Sequence, residues 1–180
     1  IWAALGSRDR GIRHAARAAL EKQPAKNWKN RTEKEQDPVI LTAALIALAR
    51  VDAENSADDI LAAATNLDYR VTKPRQTRLD ILRAITLTLT RSGQLGSDSK
   101  AKLVNWLDGV YPAKTPEENR DLSAFAAFLD APFAVERGMK LLTNASGQEE
   151  QIGYAINLRH LKNGWTPELR EAYFQWFVRS

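Results

Sequence analysis

The chain has 180 residues, 44% of them apolar and 27% charged, enough for one folded domain with a substantial core. It contains no cysteine, which excludes disulfides, thiolate metal sites, cysteine nucleophiles and haem attached through cysteine. The net charge of +4 alternates in sign along the chain: nine basic and four acidic residues in 1–36, one and six in 37–68, nine and three in 69–114, three and seven in 115–150, and four and two in 151–180. Nucleic-acid binders gather Lys and Arg on one face or stripe, so that function requires folding to bring together basic blocks that the sequence keeps apart.

The chain opens on an apolar run, Ile1-Trp2-Ala3-Ala4-Leu5, and reads as starting inside a helix of something longer. That first helix is expected to expose apolar surface and to fray or to pair with another copy at high concentration, and any targeting segment would lie upstream. A helix is expected over residues 8–22. It carries Asp9-x-x-Ile12-Arg13-x-x-Ala16-x-x-Ala19-Leu20, the pattern of a HEAT repeat. There the small residues let neighbouring helices approach, and Asp9 and Arg13 are expected to form a polar ladder between successive repeats. Residues 23–36 are the longest polar connection, with Trp28 anchoring it on the helices.

Asp37-Pro38 reads as an N-cap with proline in the first turn, opening a helix over 38–51. Its run 39–49 is the most apolar of the chain, but it is interrupted by Thr42 and falls short of the roughly 18 residues that span a membrane. It reads as a helix buried on most sides. Further helices are expected over 57–67, where Ser56 and Asp59 have capping-box spacing, and over 75–92, where Leu79, Leu82, Ile85 and Leu89 form one stripe before Gly93. Leu103, Leu107, Val110 and Tyr111 form the stripe of a helix over 98–111.

Thr115-Pro116-Glu117-Glu118 combines a cap, a first-turn proline and a capping-box glutamate, starting a helix over 117–129. Asp130-Ala131-Pro132 ends it and launches 132–143. Ser146 and Glu149 repeat the box before a helix over 147–161, whose Ile152, Ala155, Ile156, Leu158 and Leu161 make a broad apolar face. Gly164 ends that helix, and Thr166-Pro167-Glu168 starts the last, over 167–179. Trp2, Trp106 and Trp176 read as core, and Phe174 and Phe177 are expected to pack inward on the 147–161 helix. Trp165, in the turn before the last helix, has two readings: a ring that plugs the junction of two helices, or an exposed binding aromatic.

No constellation for chemistry emerges. His14 and His160 are far apart, and neither has a carboxylate or second histidine at metal-ligand spacing along its helix. The acidic pairs Asp58-Asp59, Glu117-Glu118 and Glu149-Glu150 all read as first-turn residues favoured by the helix dipole. Glycine-rich phosphate loops and nucleophile elbows are absent, and no cofactor or metal site is expected. Helix starts at 37, 75 and 117 lie about one HEAT period apart. The expected fold is all-α: a single HEAT-like α-solenoid over 1–180, a right-handed superhelix of antiparallel helix pairs.

Three stretches carry a resemblance. One runs from Arg8-Asp9-Arg10 through Glu21-Lys22-Gln23-Pro24, with Trp28 beyond it. Another runs from Asn119-Arg120-Asp121-Leu122 through Leu129-Asp130-Ala131-Pro132 to Leu141-Leu142. The most specific begins Gln148-Glu149-Glu150-Gln151-Ile152-Gly153-Tyr154-Ala155 and continues Leu158-Arg159-His160-Leu161-Lys162-Asn163-Gly164-Trp165-Thr166-Pro167-Glu168-Leu169-Arg170 to Tyr173-Phe174-Gln175-Trp176-Phe177. Together they resemble the helical-repeat region of large exported multidomain proteins of planctomycete and verrucomicrobial type, where such a region is similar to a spacer between a propeller-like dehydrogenase domain and a c-type haem domain. The resemblance implies a periplasmic or otherwise exported redox protein as the setting, with no activity in this segment. The haem motif Cys-x-x-Cys-His is absent, so no catalytic or haem-binding residue carries over. The resulting expectation is a non-catalytic scaffold whose partners are neighbouring domains of the same chain or another protein. A free-standing basic domain that binds nucleic acid on its concave face is the alternative, and an enzyme on a helical-repeat scaffold is a third reading.

Overall fold

The computed structural model describes residues 1–93 and 95–179. All regular structure among them is helical: α1 (Arg10–Glu21), α2 (Pro38–Val51), α3 (Ala53–Asn66), α4 (Arg75–Arg91), α5 (Ser97–Val110), α6 (Pro116–Leu129), α7 (Ala134–Asn144), α8 (Gln148–Arg159) and α9 (Pro167–Arg179). Three short 3-10 turns, Trp2–Gly6, Ala25–Asn27 and Lys29–Lys34, flank α1. None of the helices is long and apolar enough to cross a membrane. The chain divides into two compact units, Ile1–Leu103 and Val104–Ser180.

In the first unit α2 is the hub. It packs against α1, α3, α4 and the Trp2–Gly6 turn, and Leu41, Thr42 and every residue from Ala44 to Ala49 are buried. Such a helix has no polar face, so it is stable only when covered nearly all round. Its start is fixed by Asp37, whose Oδ1 accepts from the Val39 and Ile40 N–H groups at 2.8 and 3.3 Å. Two fully buried hydroxyls are satisfied inside their own helices: Thr42 donates to the Pro38 carbonyl at 2.8 Å and Thr88 to that of Ala84 at 2.9 Å.

Of the opening residues Ile1 is 56% exposed, in keeping with apolar surface at this end, but those after it differ from the expectation of a frayed helix. They form a 3-10 turn against α1 and α2, with Leu5 fully buried. Trp2 Nε1 donates to Glu35 at 2.6 Å, and the Arg31 guanidinium lies 4.5 Å from the centre of the Trp2 ring. The buried Trp28 stands 6.5 Å from Trp2 and anchors the polar connection, as its sequence setting suggests.

Helix α3 starts four residues before the expected position. Ser56 is not a cap; it is buried inside the helix and donates to Asp52 at 2.7 Å. Asp58-Asp59 therefore lies in the middle of α3 and not in its first turn.

In the second unit α8 packs on both α6 and α7, and α9 packs on α7. Leu122, Tyr154 and Leu158 are buried there. The Thr115 cap at α6 forms: Thr115 accepts from the Glu118 N–H at 3.4 Å, and its hydroxyl donates to the Glu118 carboxylate at 2.7 Å. Ser146 does not cap α8, whose N-cap is Gly147. Gly138 marks a close approach of α7 and α8, since a Cβ there would lie 2.9 Å from Leu158 Cδ2. Arg137 ties α7 to the end of α5 by donating to the Tyr111 carbonyl at 2.6 Å and pairing with Asp108.

Replacing the fully buried Leu45 with alanine is expected to lower unfolding stability by roughly 2–5 kcal/mol. The half-exposed Ile12→Ala is expected to cost about 0.5 kcal/mol. Urea denaturation of the two variants measures the difference.

Candidate functional site

The turn between α8 and α9 sets the direction in which α9 leaves. Asp130, in the left-handed region at φ 50°, accepts at Oδ1 from the Lys162 and Asn163 N–H groups at 2.9 and 3.1 Å, and at Oδ2 from the Asn163 side chain at 2.6 Å. Partial burial pushes this carboxyl up. The three hydrogen bonds and the Lys162 charge outweigh that and hold it below the usual carboxylate range. Gly164 has φ +86°, and a Cβ there would stand 2.8 Å from the Pro132 carbonyl oxygen, so only glycine fits. Trp165 plugs the junction: its half-buried indole donates to the Leu161 carbonyl at 3.0 Å, and its ring meets Tyr173 edge-on at 5.3 Å.

Helix α9 is held onto α8 by the Tyr173 hydroxyl, which donates to the Ala155 carbonyl at 2.8 Å, and by Trp176 Nε1, which donates to Gln151 at 3.2 Å. Tyr173 meets Phe177 edge-on at 5.1 Å, and Phe177 meets Trp176 at 4.8 Å. The rings that were expected to pack inward remain in solvent: Phe174 is 65% exposed and Phe177 54%. Trp176 is half-buried and not core. The broad apolar face of α8 is covered only in part, because Ala155 and Leu158 are buried while Ile152 and Ile156 are 44% and 47% exposed. Between the two helices lies a groove of about 310 Å³, walled by Ile152, Ile156, Tyr173, Trp176 and Phe177, with Gln148 and Arg159 also lining it.

A second concavity, of about 290 Å³, lies in the first unit. Arg10, Arg13 and Arg17 line it from α1 and Arg83 from α4, with Asp80 as the one carboxylate among its lining residues. The basic blocks at 1–36 and 69–114 thus meet here across the acidic segment that separates them in sequence. Arg17 sits 3.6 Å from Glu21, which also pairs with Arg50 at 3.4 Å. Burial lowers the Arg17 pKa against the attraction of Glu21, and burial raises that of Asp80 against its hydrogen bond from Gln76 and the neighbouring arginines.

The expected ladder residues make local bonds. Asp9 caps α1, accepting from the Gly11 and Ile12 N–H groups at 2.7 and 3.1 Å. Arg13 donates to the Ser7 and Arg8 carbonyls at 2.6 and 3.0 Å. His14 is exposed, with Nδ1 3.3 Å from Arg17, and His160 is exposed at the end of α8. Among the described residues no three His, Asp or Glu side chains converge as a metal cage requires. The Arg10–Arg83 convergence and the open α8–α9 groove were not legible in the sequence, because each depends on which helices become neighbours. No family model, no curated protein and no solved structure matches the chain.

The bonds to Asp130 make a pH prediction. Its folded pKa is depressed, so its contribution to stability is present above the unfolded value of about 3.9 and is lost as pH falls through the folded one. Asp130→Asn keeps a residue that tolerates the left-handed region but removes the charge. The wild type is expected to be the more stable at pH 7, with the gap narrowing below about pH 4 as the carboxyl protonates. Thermal melts of both proteins across that range test it, and a gap that stays constant would assign no role to the charge.

Proposed function

We propose that this chain is a non-catalytic docking module, a HEAT-like α-solenoid segment that receives an amphipathic helix of a neighbouring domain or protein in the α8–α9 groove. The observation that supports it is the groove itself: Ile152, Ile156 and Phe177 left in solvent, with the half-buried Trp176 between them, beside a helix whose other side is well packed. Exposed apolar surface gathered in one concavity favours a binding role, because each such group gains by leaving water when covered. Helix-in-groove recognition uses this geometry, with anchors at i, i+3/i+4 and i+7 filling an apolar channel.

The packing order within each unit supports the solenoid reading. Helix α4 lies on α2, two helices back, and in the second unit α8 lies on α6 and α9 on α7. In a helical-repeat array each new pair covers the apolar face of the one before it, and the uncovered face of α8 offers the same kind of surface to an incoming helix. In the exported redox setting implied by the resemblance, that helix belongs to an adjacent domain of the same polypeptide. The module then acts as a spacer or docking arm and takes no part in the chemistry.

A designed amphipathic peptide with leucine at i, i+3, i+4 and i+7 is expected to bind saturably. Its backbone amide shift changes should be confined to α8 and α9. Ile156→Glu is expected to weaken that binding by roughly tenfold or more, about the loss of one buried aliphatic anchor with a charge placed in its stead. The melting temperature should change little, because Ile156 is half exposed. Shift changes scattered over both units, or binding untouched by Ile156→Glu, would remove the support for this reading.

A further inference from the structure

The arginine cleft of the first unit is independent of the α8–α9 groove and belongs to other residues. Four guanidinium groups face one carboxylate among its lining residues, which leaves a formal excess of three positive charges. The four are not equivalent. Arg13 is tied to the Ser7 and Arg8 carbonyls and Arg17 to Glu21. Among the described residues, Arg10 and Arg83 donate to no protein acceptor and form no ion pair. Two cations are thus anchored, and two have every donor available in a concave site.

From this geometry we propose that the cleft binds a phosphoryl group carried on a small organic body, a nucleoside monophosphate being the class that fits. Guanidinium is planar and forked, and it pairs with phosphate oxygens through two parallel hydrogen bonds. With Arg17 paired to Glu21, an excess of two charges remains, which favours a dianion over a monoanion such as a carboxylate. The volume of about 290 Å³ corresponds to roughly ten waters, at about 30 Å³ each, and exceeds the needs of a bare phosphate. The remainder of the space lies against Val39, Ala43 and Ile46 of α2. That apolar wall suits the uncharged body of the ligand. Asp80 offers an acceptor to a hydroxyl or amino group on that body, and it disfavours a ligand that is anionic along its whole length.

The same phosphoryl chemistry is presented by a free nucleotide and by a nucleic-acid strand, and calorimetric titrations separate the two. Adenosine 5′-monophosphate, adenosine and a short single-stranded oligonucleotide are each titrated to low millimolar concentration into the whole chain and into Arg10→Gln/Arg83→Gln. Both substituted residues are exposed, and a melt of the double variant confirms that it folds. The expected result is saturable binding of the monophosphate, none of adenosine, and a loss of roughly tenfold or more in the variant. An oligonucleotide that binds more tightly than the monophosphate, weakens in the variant and shows a log–log salt slope of several phosphates keeps the phosphoryl site and assigns it to a strand. The proposal is overturned if neither phosphate compound binds, if adenosine binds as well as its monophosphate, or if the double variant binds both phosphate compounds as tightly as the wild type.

Discussion

Everything in the first unit depends on covering α2. From Ala44 to Ala49 the helix has no side turned to water, so its own sequence demands neighbours on every face. Helices α1, α3 and α4 and the Trp2–Gly6 turn supply them. At about 25 cal/mol per Å² of apolar surface removed from water, this burial outweighs any helix propensity in the segment. Most of the polar atoms that go inside do so at little cost because they are satisfied locally, although Glu21 Oε1 and the Ser92 hydroxyl are buried without a hydrogen-bond partner. Thr86, Thr88 and Thr90 of α4 all donate to the carbonyl four residues back, which lets β-branched residues sit in a helix without orphaned hydroxyls.

The second unit applies the same constraint to α8 and meets it on one side only. Leu158 and Ala155 are covered by the unit's own helices, while Ile152 and Ile156 remain open beside an α9 that turns Phe174 and Phe177 to solvent. The anchoring of α9 is polar and specific: the Tyr173 hydroxyl, the Trp176 indole and the bonds from Asp130 to the preceding turn. A helix fixed that firmly, yet showing phenylalanines to solvent, has the properties of a preorganised binding wall. For the helix proposed to dock there, the cost of ordering this wall would already be met.

Much of the helical layout was legible from local signals. Asp37-Pro38, Thr115-Pro116 and Thr166-Pro167 place three helix starts because cap and proline chemistry act within a few residues. Gly93 and Gly164 sit at positive φ after helix ends, the conformation that favours glycine. The misplacements have the same physical origin. Ser56 and Asp59 have capping-box spacing, but i and i+3 are also neighbours inside any helix, so the spacing alone cannot separate a cap from an interior pair. Ser146 and Glu149 misled for another reason: Ser146 lies outside α8, one residue before the N-cap Gly147. The inward packing expected of Phe174 and Phe177 required knowing which face of α9 meets α8, and helical periodicity marks a stripe without naming what covers it. The arginine cleft was equally invisible, since Arg10 and Arg83 lie 73 positions apart in sequence. Charge counting by segment even argued against it, because the acidic block 37–68 stands between them and folds as the helices that bring them together.

The central claim is that the α8–α9 groove is open in the isolated chain. The most direct measurement is the methyl relaxation enhancement caused by a soluble paramagnetic agent at dilute protein concentration. Strong enhancement is expected at the Ile152 and Ile156 methyls and little at those of Leu122 and Leu158, which are buried in the same unit. Isoleucine methyls as shielded as those of Leu158 would show that the chain already covers its own groove, and would contradict the docking function.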